Sequence, residues 1–122
     1  MSRRKHEEPP DFHWDLLLGI GLAALTVAAY GGACNNEFVN YDDPLYVYKN
    51  PRVQNGLTAR GLAWAWTTFH AGNWHPLTWM SLQLDYELYG LSAAGYHLTN
   101  LLLHTANVVL LFLVLHRLTG DR

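Results

Sequence analysis

Leu16-Leu17-Leu18-Gly19-Ile20-Gly21-Leu22-Ala23-Ala24-Leu25-Thr26-Val27-Ala28-Ala29-Tyr30-Gly31-Gly32-Ala33-Cys34 is a run of aliphatic residues interrupted only by Thr26, Tyr30 and glycines. At a rise of about 1.5 Å per residue it covers the roughly 30 Å hydrocarbon core of a bilayer, so it predicts a membrane-spanning helix over residues 14–34. Gly19 with Ala23, and Ala24 with Ala28, set small residues four apart and would let a second helix approach closely. Arg3, Arg4 and Lys5 precede the run, whereas Asn35, Asn36 and Glu37 follow it. The positive-inside rule then places the tail, residues 1–13, in the cytoplasm. A cleaved signal has an apolar middle of about 7 to 15 residues, shorter than this one. Gly31-Gly32-Ala33-Cys34 departs from a lipoprotein cleavage box by carrying Gly31 where such boxes carry leucine.

A second apolar block, residues 95–117, is also long enough to cross, and Arg117 and Arg122 mark its far end as cytoplasmic. The expected fold is an all-α integral membrane hairpin with two spans, an external loop at 35–94 and a cytoplasmic end at 118–122. His97, Asn100, His104 and Asn107 recur at spacings of three and four, which puts them on one stripe of the second span. Such a stripe is costly against lipid, so it faces a substrate cavity or hydrogen-bonds to another helix. Haem ligation by His97 and His104 would need a histidine that the first span does not offer.

Composition narrows the function classes. The 122 residues carry a formal charge of −2, with no basic run beyond Arg3-Arg4-Lys5, which argues against a nucleic-acid surface. A single cysteine, Cys34, excludes an internal disulfide framework and a cysteine zinc site.

The loop holds the chemistry. Phe38-Val39-Asn40-Tyr41-Asp42-Asp43-Pro44 sets two acids side by side just beyond the first span. Adjacent carboxylates repel and favour a cation, a proton or a polar substrate between them; a solvated Asp-Pro turn is the plain alternative. Tyr46-Val47-Tyr48 reads as a short extended piece, and Asn50-Pro51 as a turn. Thr58 reads as the N-cap of a short aromatic helix containing Leu62, Trp64, Ala65, Trp66 and Phe69. Pro76 opens another helix, capped by the Asn73 or His75 side chain and stopped by Gly90. Its Leu77, Met80, Leu84 and Leu88 form an apolar face, with Gln83 and Glu87 opposite. Asp85 argues against a span here, so both short helices are expected along the headgroup layer or packed on protein.

The ordered series Phe38-Val39-Asn40-Tyr41-Asp42-Asp43, Asn50-Pro51-Arg52-Val53, His75-Pro76-Leu77-Thr78, Leu84-Asp85, Tyr89-Gly90-Leu91 and Gly95-Tyr96-His97-Leu98-Thr99-Asn100-Leu101-Leu102-Leu103-His104 resembles the N-terminal membrane segment of the transmembrane and tetratricopeptide-repeat protein family, its bacterial relatives in particular. The resemblance covers nearly everything from Asp15 to Gly120. Eukaryotic members are protein O-mannosyltransferases of the C-type glycosyltransferase fold. The resemblance therefore implies part of a polytopic enzyme, in a bacterial inner membrane, that moves a sugar from a polyprenyl-phosphate carrier to a protein or glycan acceptor outside the cytoplasm.

On that pattern Asp42 is the base that deprotonates an acceptor hydroxyl and Asp43 orients groups beside it. Arg52 and His75 would meet the carrier phosphate, with His97, Asn100 and His104 lining the substrate side. Eukaryotic members tend to carry arginine where this chain has His75. No cofactor is implied; a divalent cation on the paired acids is the less favoured option. Two spans cannot enclose a lipid-linked sugar, so the remaining spans and the tetratricopeptide repeats are expected elsewhere, and this hairpin alone is not expected to catalyse transfer. A non-catalytic hairpin acting as a binding or assembly subunit is the rival reading. An ion pathway through Asp42, Asp43, His97 and His104 is a remote third.

Overall fold

The computed structural model describes residues 12–119. Arg3, Arg4, Lys5 and Arg122, on which the expected orientation leans, lie outside the described residues. Among those described, every regular element is helical. Helix α1 runs Phe12–Tyr30 and tightens into a 3-10 turn at Gly31–Asn35; α2 is Pro51–Gln54, α3 is Ala59–Thr67, α4 is Pro76–Tyr89 and α5 is Ala93–Thr119.

Helices α1 and α5 are each long and apolar enough to cross a membrane. Within the described residues the chain covers only 11% and 6% of their most apolar windows. They pack side by side in opposite directions. At one end His116 Nε2 lies 3.3 Å from Asp15 Oδ1, a pairing that sets an acid in the first turn of α1 and a base in the last turn of α5, where each helix dipole favours it. Toward the other end Tyr30 meets His104 edge-on at 4.9 Å. Along α1 the inward line includes Gly19, Ala23 and Thr26, whose hydroxyl donates to its own helix at Leu22 O, 2.8 Å away. Of the two small-residue pairs only Gly19–Ala23 serves this seam, since Ala24 and Ala28 are exposed.

Between the long helices the chain folds around Trp79, which has no solvent exposure. Tyr46 stacks on it at 4.9 Å, and Trp64, His70 and His75 close its edges at 5.1, 5.5 and 4.9 Å. Val53 from α2 and Ala65 from α3 complete this core. Polar side chains tie its walls together. Asn50 Oδ1 accepts from the Arg52 and Val53 amides while its Nδ2 donates to Leu45 O, so one side chain caps α2 and holds the turn before it. Gln83, also fully buried, donates from Nε2 to Arg52 O at 3.3 Å and Gly61 O at 3.2 Å, joining α2 and α3 to α4. Thr58 caps α3 by accepting from the Gly61 amide.

Two local expectations are corrected. Residues Pro44–Tyr48 form a wide π-helical turn, not an extended piece: the Asp42 carbonyl takes the Leu45 and Tyr46 amides, and the Lys49 amide reaches back to the Pro44 carbonyl. The start of α4 has no side-chain cap; Asn73 Nδ2 donates to Ala71 O instead. On α4, Pro76, Trp79, Gln83 and Asp85 are buried and Met80 packs half-buried against the Trp79 core, whereas Leu77, Leu84 and Leu88 are 70%, 42% and 61% exposed. The largest ring and the one side chain able to donate to two stray carbonyls outweigh a stripe of leucines.

Helices α4 and α5 meet through a short turn in which Gly90 takes φ 61 and Tyr96 Oη donates back to Gly90 O at 3.1 Å. A Cβ on Gly95 would collide with the Tyr89 ring. Trp79→Ala is expected to destabilise the inter-helix unit by about 3–5 kcal/mol. Gly95→Ala should loosen the α4–α5 joint while leaving the α1–α5 pair in place. Urea unfolding in detergent micelles, followed by tryptophan emission for the unit and far-ultraviolet dichroism for the long helices, separates the two effects.

Candidate active site

The acidic turn is built by its own backbone. Phe38 wedges between Tyr48 and Tyr96, with ring centroids at 5.7 and 5.4 Å, and so pins the loop to the first turns of α5. Tyr48 Oη lies 3.5 Å from Asn40 Oδ1 on the same loop. Within it the two acids have different surroundings. Asp43 Oδ2 accepts from the Val39 amide at 2.6 Å, a charge-assisted bond that closes the loop over four residues. The Asp42 carbonyl starts the next turn, while its side chain is exposed and makes no bond within the described residues. One carboxylate is committed to shape and the other is presented outward.

The remaining expected site residues fall into separate groups. His75 is linked to the acidic turn through Tyr46: the two rings lie 5.6 Å apart, the Tyr46 amide bonds the Asp42 carbonyl, and His75 Nε2 is buried without a partner. His97 follows Tyr96, on which Phe38 rests, and its Nε2 is likewise buried and unpartnered. Such a nitrogen favours any group that can complete it. Arg52, in the only turn of α2, is exposed. Asn100 and His104 lie further along α5, about 6 and 12 Å beyond Tyr96 at 1.5 Å per residue, and His104 meets Tyr30 at the end of α1. Among the described residues no three acidic, histidine or cysteine side chains converge as a metal cage would require.

One acid is buried within the fold. Asp85 is 3% exposed and accepts from Thr99 Oγ1 at 2.6 Å, linking α4 to α5. Burial pushes its carboxyl above the ordinary value of 3.8, partly offset by the Thr99 bond. The available signal was an acid beside Leu84 with a threonine fourteen positions later, which no local pattern singles out.

The chain is 32% identical over 117 residues to Protein O-mannosyl-transferase Tmtc1 of Drosophila melanogaster. It is a distant homologue of that protein. The alignment takes in 90% of this chain and 14% of Tmtc1, so the chain spans about a seventh of the relative's length. No protein-family model and no solved structure matches.

The buried acid has a pH signature. Because the native state holds the Asp85 proton more tightly than the unfolded chain does, its contribution to stability is full below pH 3.8 and is lost as the pH rises through the folded value. Asp85→Asn removes that loss. The stability of the asparagine variant relative to wild type should therefore rise as the pH is raised above 3.8, as measured by urea midpoints in micelles; a constant difference would show that Asp85 does not titrate differently on folding.

Proposed function

We propose that this chain supplies the acidic turn of a membrane glycosyltransferase of the protein O-mannosyltransferase type. It would act on a polyprenyl-phosphate-linked sugar and a protein or glycan hydroxyl at the non-cytoplasmic face. The observation that carries the reading is the unequal use of the two acids at the mouth of an apolar hairpin, and homology to Tmtc1 supports it. Asp43 holds the loop through the Val39 amide, which leaves Asp42 free to take a proton.

In this scheme an acceptor hydroxyl donates its proton to Asp42 as its oxygen forms a bond to the anomeric carbon of the sugar. The bond from that carbon to the carrier phosphate breaks, and its electron pair leaves with the polyprenyl phosphate. Loss of the hydroxyl proton is what makes the oxygen a competent nucleophile. Arg52, as a fixed cation, and His75, through its unpartnered nitrogen, would offset the charge gathering on the phosphate. His97 lies on the same side of the hairpin as the acidic turn and would contact the acceptor or sugar. Further spans would close the chamber around the donor, in keeping with the small share of Tmtc1 that this segment represents.

The test exchanges the aligned segment of Tmtc1 for this chain and follows transfer of labelled mannose from a polyprenyl-phosphate donor in membranes. Asp42→Asn should lower the rate by roughly 10²–10⁴-fold, the usual contribution of a general base. His75→Ala should chiefly raise the donor concentration needed. Wild-type transfer by the Asp42 variant would remove the proposed base.

A further inference from the structure

Two supports hold the acidic turn, and they belong to different helices. On one side Phe38 rests on Tyr96, in the first turn of α5, with ring centroids 5.4 Å apart. On the other the Asp42 carbonyl accepts from the Tyr46 amide, and the Tyr46 ring stacks on Trp79 and lies 5.6 Å from His75 at the start of α4. The placing of Asp42 against His75 therefore depends on the angle between α4 and α5. These helices join at Gly90, and the bond from Tyr96 Oη to Gly90 O lies at the hinge itself, where it has little leverage. At 1.5 Å per residue His75 stands about 22 Å from Gly90 along α4, so a swing of roughly 3° carries it about 1 Å. Asp85 stands about 7.5 Å from Gly90, where the same swing amounts to about 0.4 Å. Its side chain is buried and accepts from Thr99 Oγ1 at 2.6 Å, across the joint on α5. A hydrogen bond between oxygens holds only within a few tenths of an ångström of its best length, which makes this bond a restraint on the angle.

We propose that Asp85 and Thr99 are positioning residues of the transferase site: their bond fixes α4 against α5 and so sets Asp42 against the phosphate that His75 would meet. The proposal rests on the transferase reading and deepens it. Arg52 and His75 belong to the unit around Trp79, where Gln83 of α4 holds the Arg52 carbonyl, so they move together if α4 loosens from α5. Donor binding then survives. Asp42, strung between that unit and the Phe38 contact on Tyr96, is the group that shifts. The bond between Asp85 and Thr99 therefore governs turnover and not donor affinity. Misplacement by about 1 Å is enough to cost up to roughly 10²-fold in rate.

Thr99→Val keeps the shape of the side chain and leaves Asp85 without its donor, whereas Thr99→Ser keeps the hydroxyl. In the full chain, with Cys34→Ser removing the native thiol, spin labels at Tyr41→Cys and Leu77→Cys report the separation of the acidic turn from the start of α4 in micelles; both positions are exposed. The parent chain should give one narrow distance distribution, Thr99→Val a broader one and Thr99→Ser the narrow one again, with tryptophan emission unchanged throughout. An unchanged distribution in Thr99→Val would overturn the proposal. In Tmtc1 carrying this chain in place of its aligned segment, Thr99→Val should slow mannose transfer at saturating donor by roughly 10- to 10²-fold, with the half-saturating donor concentration within about twofold of wild type. Thr99→Ser should restore the rate. Wild-type turnover in Thr99→Val, or a loss that excess donor repairs, would overturn the positioning role. Failure of the transferase reading shows separately, as wild-type transfer by Asp42→Asn, and leaves the label distances as they are.

Discussion

Complete burial of Trp79 is the constraint from which the inter-helix unit follows. One indole draws together Tyr46 from the turn after the acids, Trp64 from α3, His70 from the turn that follows and His75 from the start of its own helix. A large ring contributes most of the apolar area such a small unit can bury. Gln83 then serves as the polar counterpart one turn along, giving two backbone carbonyls a donor that leucine could not provide. Because Tyr46 is bonded through its amide to the Asp42 carbonyl, the position of the acidic turn depends on this ring cluster as well as on Phe38.

Local features were legible in the sequence where the physics is local. Thr58 caps α3, Pro76 opens α4 and Gly90 ends it with a positive φ, since each depends on a few neighbouring atoms. The two long apolar helices were legible for the same reason: length and hydropathy need no tertiary partner to be read. Which face of a helix is covered was not legible. The leucine stripe of α4 obeyed helical spacing yet lies outward, because periodicity records which residues share a face and not which face has a partner. Tyr46-Val47-Tyr48 has strand-forming side chains, but two amide bonds to the Asp42 carbonyl decide its path.

The candidate site divides along the same line. The pairing of Asp42 with Asp43 is visible in sequence, but their unequal roles rest on the single Val39 amide. Asp85 joins α4 to α5 through Thr99, a contact between residues far apart in the chain and invisible to any window short enough to be a motif. Four buried polar atoms without partners, on His75, Trp79, Gln83 and His97, lie around this same unit.

The outward leucines of α4 and the outward amides of α5 pose opposite demands. Leu77, Leu84 and Leu88 gain from any apolar surround, whether acyl chains or protein, so their exposure does not discriminate between the two. Asn100 and Asn107 do discriminate, because acyl chains offer neither donor nor acceptor and only a polar partner relieves the cost. A helix under selection only for insertion would carry leucine at both positions. Seven residues apart, they fall on one stripe of α5. The hairpin then has two distinct faces: one built inward around Trp79 to fix the acids, and one on α5 that calls for a polar neighbour.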